Sequence, residues 1–124
     1  MNSNFPLAND VQLQSLADDF LRAWQRAHGT ETGSAHAMVG PQGIVIFIEN
    51  AFSRAELTVA HQGQGSSTEL LQRYVRSLLD HICLEERQRV ETAVSRPILS
   101  TGVSMDPEAG WVMCVFRVGA DTRS

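Results

Sequence analysis

Apolar residues at Leu13, Leu16, Ala17, Phe20, Leu21 and Trp24 recur at three- and four-residue steps, with Asp18, Asp19, Arg22 and Arg26 on the opposite side. Side chains three and four apart share one helix face, so this spacing predicts an amphipathic helix over about Asn9 to His28. Gly29 can take the left-handed turn that closes it. The period then drops to two. Ser34 to Val39 and Gly43 to Asn50 read as strands on either side of Gly40-Pro41-Gln42-Gly43, whose proline and glycines suit a short reversal, and a hairpin is predicted. In the second strand, Ile44-Val45-Ile46-Phe47-Ile48, both alternating sets are apolar, as in a central strand covered on both sides.

Ser53 with Glu56, and Ser66 with Glu69, have capping-box spacing. They predict a short helix near Ser53 to Ala60, a flexible connection over His61 to Gly65, and a second helix start. From Ser67 to about Val94 the stripe Leu71, Tyr74, Val75, Leu78, Leu79, Ile82 and Cys83 marks a long helix. Glu69 with Arg73, and Glu85 with Arg89, are spaced as four-residue ion pairs worth about 0.3 kcal/mol each. At 1.5 Å per residue the helix is roughly 40 Å long, so it is expected to bend or project. The stripe weakens across Leu84-Glu85-Glu86-Arg87, the place expected for a bend or a change of packing partner. The glutamate pair there reads as a solvated face.

Arg96-Pro97 ends the helix, because a residue before proline is pushed out of the α region. Strands over Ile98 to Met105 and Trp111 to Val118 flank the turn Asp106-Pro107-Glu108-Ala109-Gly110. The expected fold is α+β and two-layered. A four-stranded antiparallel sheet of two hairpins carries an N-terminal helix and a long central helix on one face. Residues 1–124 read as one domain, with 1–8 and 119–124 as flexible tails.

Trp111-Val112-Met113-Cys114-Val115-Phe116 is also apolar on both alternating sets. With helices on one face only, the other is left with an apolar patch that demands a partner. A homodimer, or a complex with another protein, is therefore expected through that face or along the long helix. The alternative is that the helices divide between both faces and enclose everything within one chain.

The composition narrows the function classes. A net charge of -4 over 124 residues disfavours nucleic acid and anionic membrane as partners. All ten basic residues are arginine, which leaves no lysine for Schiff-base or P-loop chemistry. Cys83 and Cys114 lack CxxC or zinc spacing and lie in apolar runs, where cysteine acts as a small hydrophobe, so a reduced, cytoplasmic protein is expected. No apolar run approaches the ~20 residues of a membrane span.

Candidate chemistry is sparse. His81 and Glu85 stand four apart on the long helix and offer two metal ligands without a third, so neither metal nor cofactor is expected. Gly63, Gly65, Ser66 and Ser67 precede a helix start, where free N–H groups favour an anion, but the lysine of a nucleotide-binding loop is missing. The thiols lack a neighbouring base in sequence, and no catalytic motif is present.

As a whole, the chain resembles the small bacterial MpsC-like family, linked to a sodium-translocating, membrane-potential-generating system and to inorganic carbon uptake. The resemblance runs from about Leu16 to Val118. It rests on the first helix, the hairpin with Gly43 to Glu49, the segment Ala51-Phe52-Ser53-Arg54-Ala55-Glu56-Leu57, which is similar to the family's "G-x-L-T-x-A-E", the arginine-bearing long helix, and the closing hairpin with Asp106 and Gly110. Ser95-Arg96-Pro97 stands where the family has Thr-Gly. The resemblance implies a non-catalytic accessory or regulatory subunit that binds a protein. Ser53, Glu56, Arg73 and Arg76 match the family pattern, and Trp111 is a candidate partner contact. A small-anion or nucleotide sensor, and an assembly chaperone holding a client peptide, are the alternatives.

Overall fold

A computed structural model of the chain describes residues 9–61 and 65–119. Helix α1, Asp10–His28, begins at Asn9, whose side chain accepts from the Gln12 N–H while the Gln12 side chain accepts from the Asn9 N–H. This capping box satisfies two N–H groups that a helix start leaves free. The helix ends on Gly29 at φ 79°, a left-handed conformation that glycine adopts without steric cost. Strands β1 (Ser34–Gly40) and β2 (Gly43–Glu49), helices α2 (Arg54–His61) and α3 (Ser66–Val94), and strands β3 (Ile98–Asp106) and β4 (Trp111–Val118) follow.

The sheet is antiparallel throughout, in the order β1-β2-β4-β3. The two hairpins are joined through their second strands, with Phe47 beside Met113 and Val45 beside Val115. Gly43 sits where β2 and β4 come closest. A Cβ there would stand 2.3 Å from the Phe116 carbonyl oxygen, so no larger residue fits without parting the strands.

Helices α1 and α3 lie side by side on one face of the sheet, α1 over β1 and β2 and α3 against β3. Between helices and sheet the core closes around Phe20, Trp24, Ile44, Ile46, Val75, Leu79, Ile82, Val90, Val112, Cys114 and Phe116. Phe20 meets Phe116 edge to face, and the Trp24 indole N–H donates to the Ala51 carbonyl at 3.0 Å. The expected two-layer α+β architecture is the one observed, and the alternative with helices on both faces is excluded among the described residues.

Three local expectations are corrected. Ser66 does not cap α3. It is the first helical residue, and Gly65 holds the cap position with no side-chain hydrogen bond. Helix α3 runs without a break from Ser66 to Val94, and the buried stripe Val75, Leu79, Ile82, Cys83, Glu86, Val90 and Val94 continues across Leu84-Glu85-Glu86-Arg87. Glu86 is therefore not on a solvated face. It is 4% exposed, with its carboxylate 3.0 Å from Arg89 Nη1, and Arg89 also reaches Asp19 of α1 at 3.5 Å. That seam takes Arg89 away from Glu85, which lies 3.6 Å from His81 instead, and among the described residues Arg73 makes no ion pair with Glu69. Residues 1–8, 62–64 and 120–124, which include Gly63, most of the expected connection and most of the expected tails, lie outside the described residues.

Candidate functional site

Strand alternation sends Ile44, Ile46, Ile48, Val112, Cys114 and Phe116 into the core, and it sends Val45, Phe47, Trp111, Met113 and Val115 to the opposite face. No helix covers that face among the described residues. Its apolar side chains are screened only by one another, and all five are half-buried. Phe47 and Trp111 pack ring to ring at 5.4 Å, and Met38 of β1, beside Val45, is 57% exposed. The result is one continuous apolar surface on three adjacent strands. Glu49 and Asp106 stand at one end of it, and Arg117 at the other.

Ser53 and Glu56 are brought together as their spacing predicts. The Ser53 N–H donates to Glu56 Oε1 at 2.8 Å, and the Glu56 N–H donates to Ser53 Oγ at 3.2 Å. The second carboxylate oxygen of Glu56 lies 2.6 Å from His28 Nε2. The His28 side chain is almost fully buried, stacked on Trp24 at a centroid distance of 4.4 Å with Phe52 against its edge. Its Nδ1 has no hydrogen-bond partner. Glu56 thus ties the end of α1 to the start of α2. This contact was legible only in part, through His28 lying four residues beyond Trp24 on the apolar side of α1.

Arg73 and Arg76 line one cleft between α3 and β3, a space of about 400 Å³ shared with Glu69, Gln72, Ser104 and Met105. Both arginines are exposed, and neither has a carboxylate within ion-pair distance among the described residues. Trp111 is on the open sheet face, opposite Asp106 at the strand end next to this cleft. Gly65 (φ 98°) and exposed Ser67 stand at the start of α3, within one turn of Glu69.

The thiols of Cys83 and Cys114, distant in sequence, meet between α3 and β4. Their shared hydrogen bond, then burial, pushes Cys114 well above the ordinary thiol value of 9.0, and the same bond lowers Cys83 against the opposing effect of burial. Nothing in the spacing of the two residues signals this pairing. Burial also raises the Glu86 carboxyl above its ordinary 4.5, against the opposing charge of Arg89. Among the described residues no three His, Cys, Asp or Glu side chains converge as metal ligands, and no helix is long and apolar enough to cross a membrane.

No family model, curated protein or solved structure matches this chain.

Proposed function

We propose that this chain is a non-catalytic accessory or regulatory protein that works by docking a protein on the open face of its sheet. The observation that carries the reading is the apolar surface of Val45, Phe47, Trp111, Met113 and Val115, left bare by helices that lie wholly on the other side. Apolar surface of this extent is stabilised by removal from water, and a flat sheet face offers shape for another protein rather than a cavity for a small molecule. The resemblance to MpsC-like proteins supports work alongside a sodium-translocating or inorganic-carbon uptake system. The pairing of exposed Ser53 with Glu56, and of Glu56 with buried His28, supports a scaffold role for the family-pattern residues of that segment.

The test is site-specific photo-crosslinking in the native host. A benzophenone side chain at position 45 or 113 is expected to give protein adducts, and the same probe at exposed Leu84 on α3 is not. Equal labelling from all three positions, or none from the sheet, defeats the reading.

The Arg73–Arg76 cleft favours a second reading as a small-anion sensor. Two exposed guanidinium groups on one cleft, with Gln72 and Glu69 on the same helix face, suit a carboxylate, phosphate or bicarbonate. Calorimetric titration with these anions is expected to give heat that Arg73→Ala with Arg76→Ala abolishes. Absence of heat from the native protein removes this alternative.

A further inference from the structure

We infer that the occupant of the open sheet face is a second copy of this chain, related by a two-fold axis that lies parallel to the sheets and perpendicular to the strands. The inference rests on the docking reading above and names its partner. It comes from the placement of charge around the apolar patch. Going from one end of the face to the other, the rows across the sheet are Ser34, Glu49, Trp111 and Asp106, then His36, Phe47, Met113 and Ser104, then Met38, Val45, Val115 and Gly102, then Gly40, Gly43, Arg117 and Ser100. The acidic groups are confined to the first row and the single arginine to the last.

Two sheets packed face to face lie about 10 Å apart with strands aligned to within about 30°. A two-fold axis perpendicular to the strands lays the first row of one copy over the last row of the other. Arg117 then meets the ring of Trp111, with Glu49 and Asp106 on either side, and the contact occurs twice by symmetry. The two middle rows, apolar on the two central strands with exposed His36 at the β1 edge and Ser104 at the β3 edge, face each other at the centre. An axis along the strands gives the opposite result, with four carboxylates gathered at one end and two guanidiniums at the other. The face is self-complementary in only one of these arrangements.

Within a single copy Arg117 and Glu49 are available for the purpose, while one oxygen of Asp106 already accepts from the Ala109 N–H at 3.2 Å. Arg117 is exposed and has no ion-pair partner among the described residues, and Glu49 has only an exposed histidine, His36, at 3.6 Å. Four strands about 4.8 Å apart and seven residues long give a face of roughly 450 Å² per copy, so the pair approaches the ~1,000 Å² that specific association needs. A reversible dimer in the micromolar range is the expected result. Gly102, opposite Val115 on the outer surface, has open space where a side chain would stand, which leaves room for the Arg117 side chain.

Sedimentation velocity of the full chain across the micromolar range tests the arrangement. The native protein is expected to shift from monomer to dimer. Arg117→Glu and Glu49→Arg each place like charges at both ends, and each is expected to raise the dimer Kd at least about tenfold. An equimolar mixture of the two variants is expected to recover the dimer, because a heterodimer has opposite charges at both ends. That recovery also separates a lost contact from a lost fold. A native protein that stays monomeric, variants that dimerise as the native chain does, or a mixture that fails to recover each overturns the inference. Cross-linking from position 45 distinguishes the failures: adducts to a different protein leave the docking reading standing, whereas no adducts remove both.

Discussion

Glu56 joins two elements through one carboxylate, which accepts from the Ser53 N–H and pairs with buried His28. Replacing it removes the carboxylate half of the capping box, worth up to about 1 kcal/mol, and leaves a buried imidazole nitrogen without its partner at a further cost of about 1–3 kcal/mol. Glu56→Ala is therefore expected to lower unfolding stability by about 2–4 kcal/mol in urea titration, and Glu56→Gln, which keeps the cap, by distinctly less. Equal losses from both variants would show that the His28 contact contributes nothing. Glu86 has the opposite character. Burial raises its carboxyl, so between the unfolded value near 4.5 and the raised folded value the native state holds more protons than the unfolded chain. Stability then falls as pH rises through that window and the unfavourable term is fully present above it. Glu86→Gln is expected to flatten this slope and to gain on the native chain at neutral pH, read from urea midpoints across pH. A slope unchanged by the substitution excludes Glu86 as its source.

At the scale of elements, the join between the hairpins depends on the close approach at Gly43. Gly43→Ala drives a Cβ into the Phe116 carbonyl, and β2 and β4 can accommodate it only by separating. A loss of about 1–3 kcal/mol is expected, the range for overpacking, and a melting temperature equal to that of the native protein would show that the strands have slack. The α3–β4 contact is reported by its thiols. Cys83 and Cys114 are both buried and face each other, so labelling by a thiol reagent at neutral pH is expected to proceed only as fast as the fold opens. Rapid labelling under native conditions would show that the helix lifts from the sheet locally. At its far end α3 is held to β3 by Arg87, which donates to the Ile98 carbonyl, and by Glu91, which accepts from the Ile98 N–H, both at 3.0 Å. These bonds explain why a 29-residue helix stays seated to its last turn.

For the whole molecule, the two faces of one sheet have different physical roles although their compositions are similar. Ile46 points into the core and is 1% exposed, whereas Val45 beside it points to open surface. At concentrations where the chain is monomeric, Ile46→Thr is expected to cost about 2–4 kcal/mol, for a hydroxyl buried without a partner and lost packing. Val45→Thr is expected to change stability by less than about 1 kcal/mol, because threonine suits a strand as well as valine does. Comparable losses at the two positions would mean that something within the chain covers the outer face after all.

Elements and fold class were largely legible because they depend on local periodicity. The three- and four-residue spacing from Leu13 to Trp24, the two-residue alternation around Gly40 to Gly43, Gly29 at a helix end and Pro97 at another are short-range features that hold whatever lies beside them. The Ser53 and Glu56 box was legible for the same reason. The equally spaced Ser66 and Glu69 did not become one, because Gly65 took the cap position and the helix began a residue early. The second apolar set of Val45, Phe47, Met113 and Val115 could be read as surplus, but sequence alone left open whether helices would shelter it. That was decided in three dimensions, by α1 and α3 packing side by side against the same face. The same packing buried Glu86, joined Cys83 to Cys114 and placed His28 against Glu56. Each of these unites residues from different elements, and local spacing carries no information about how separate elements meet.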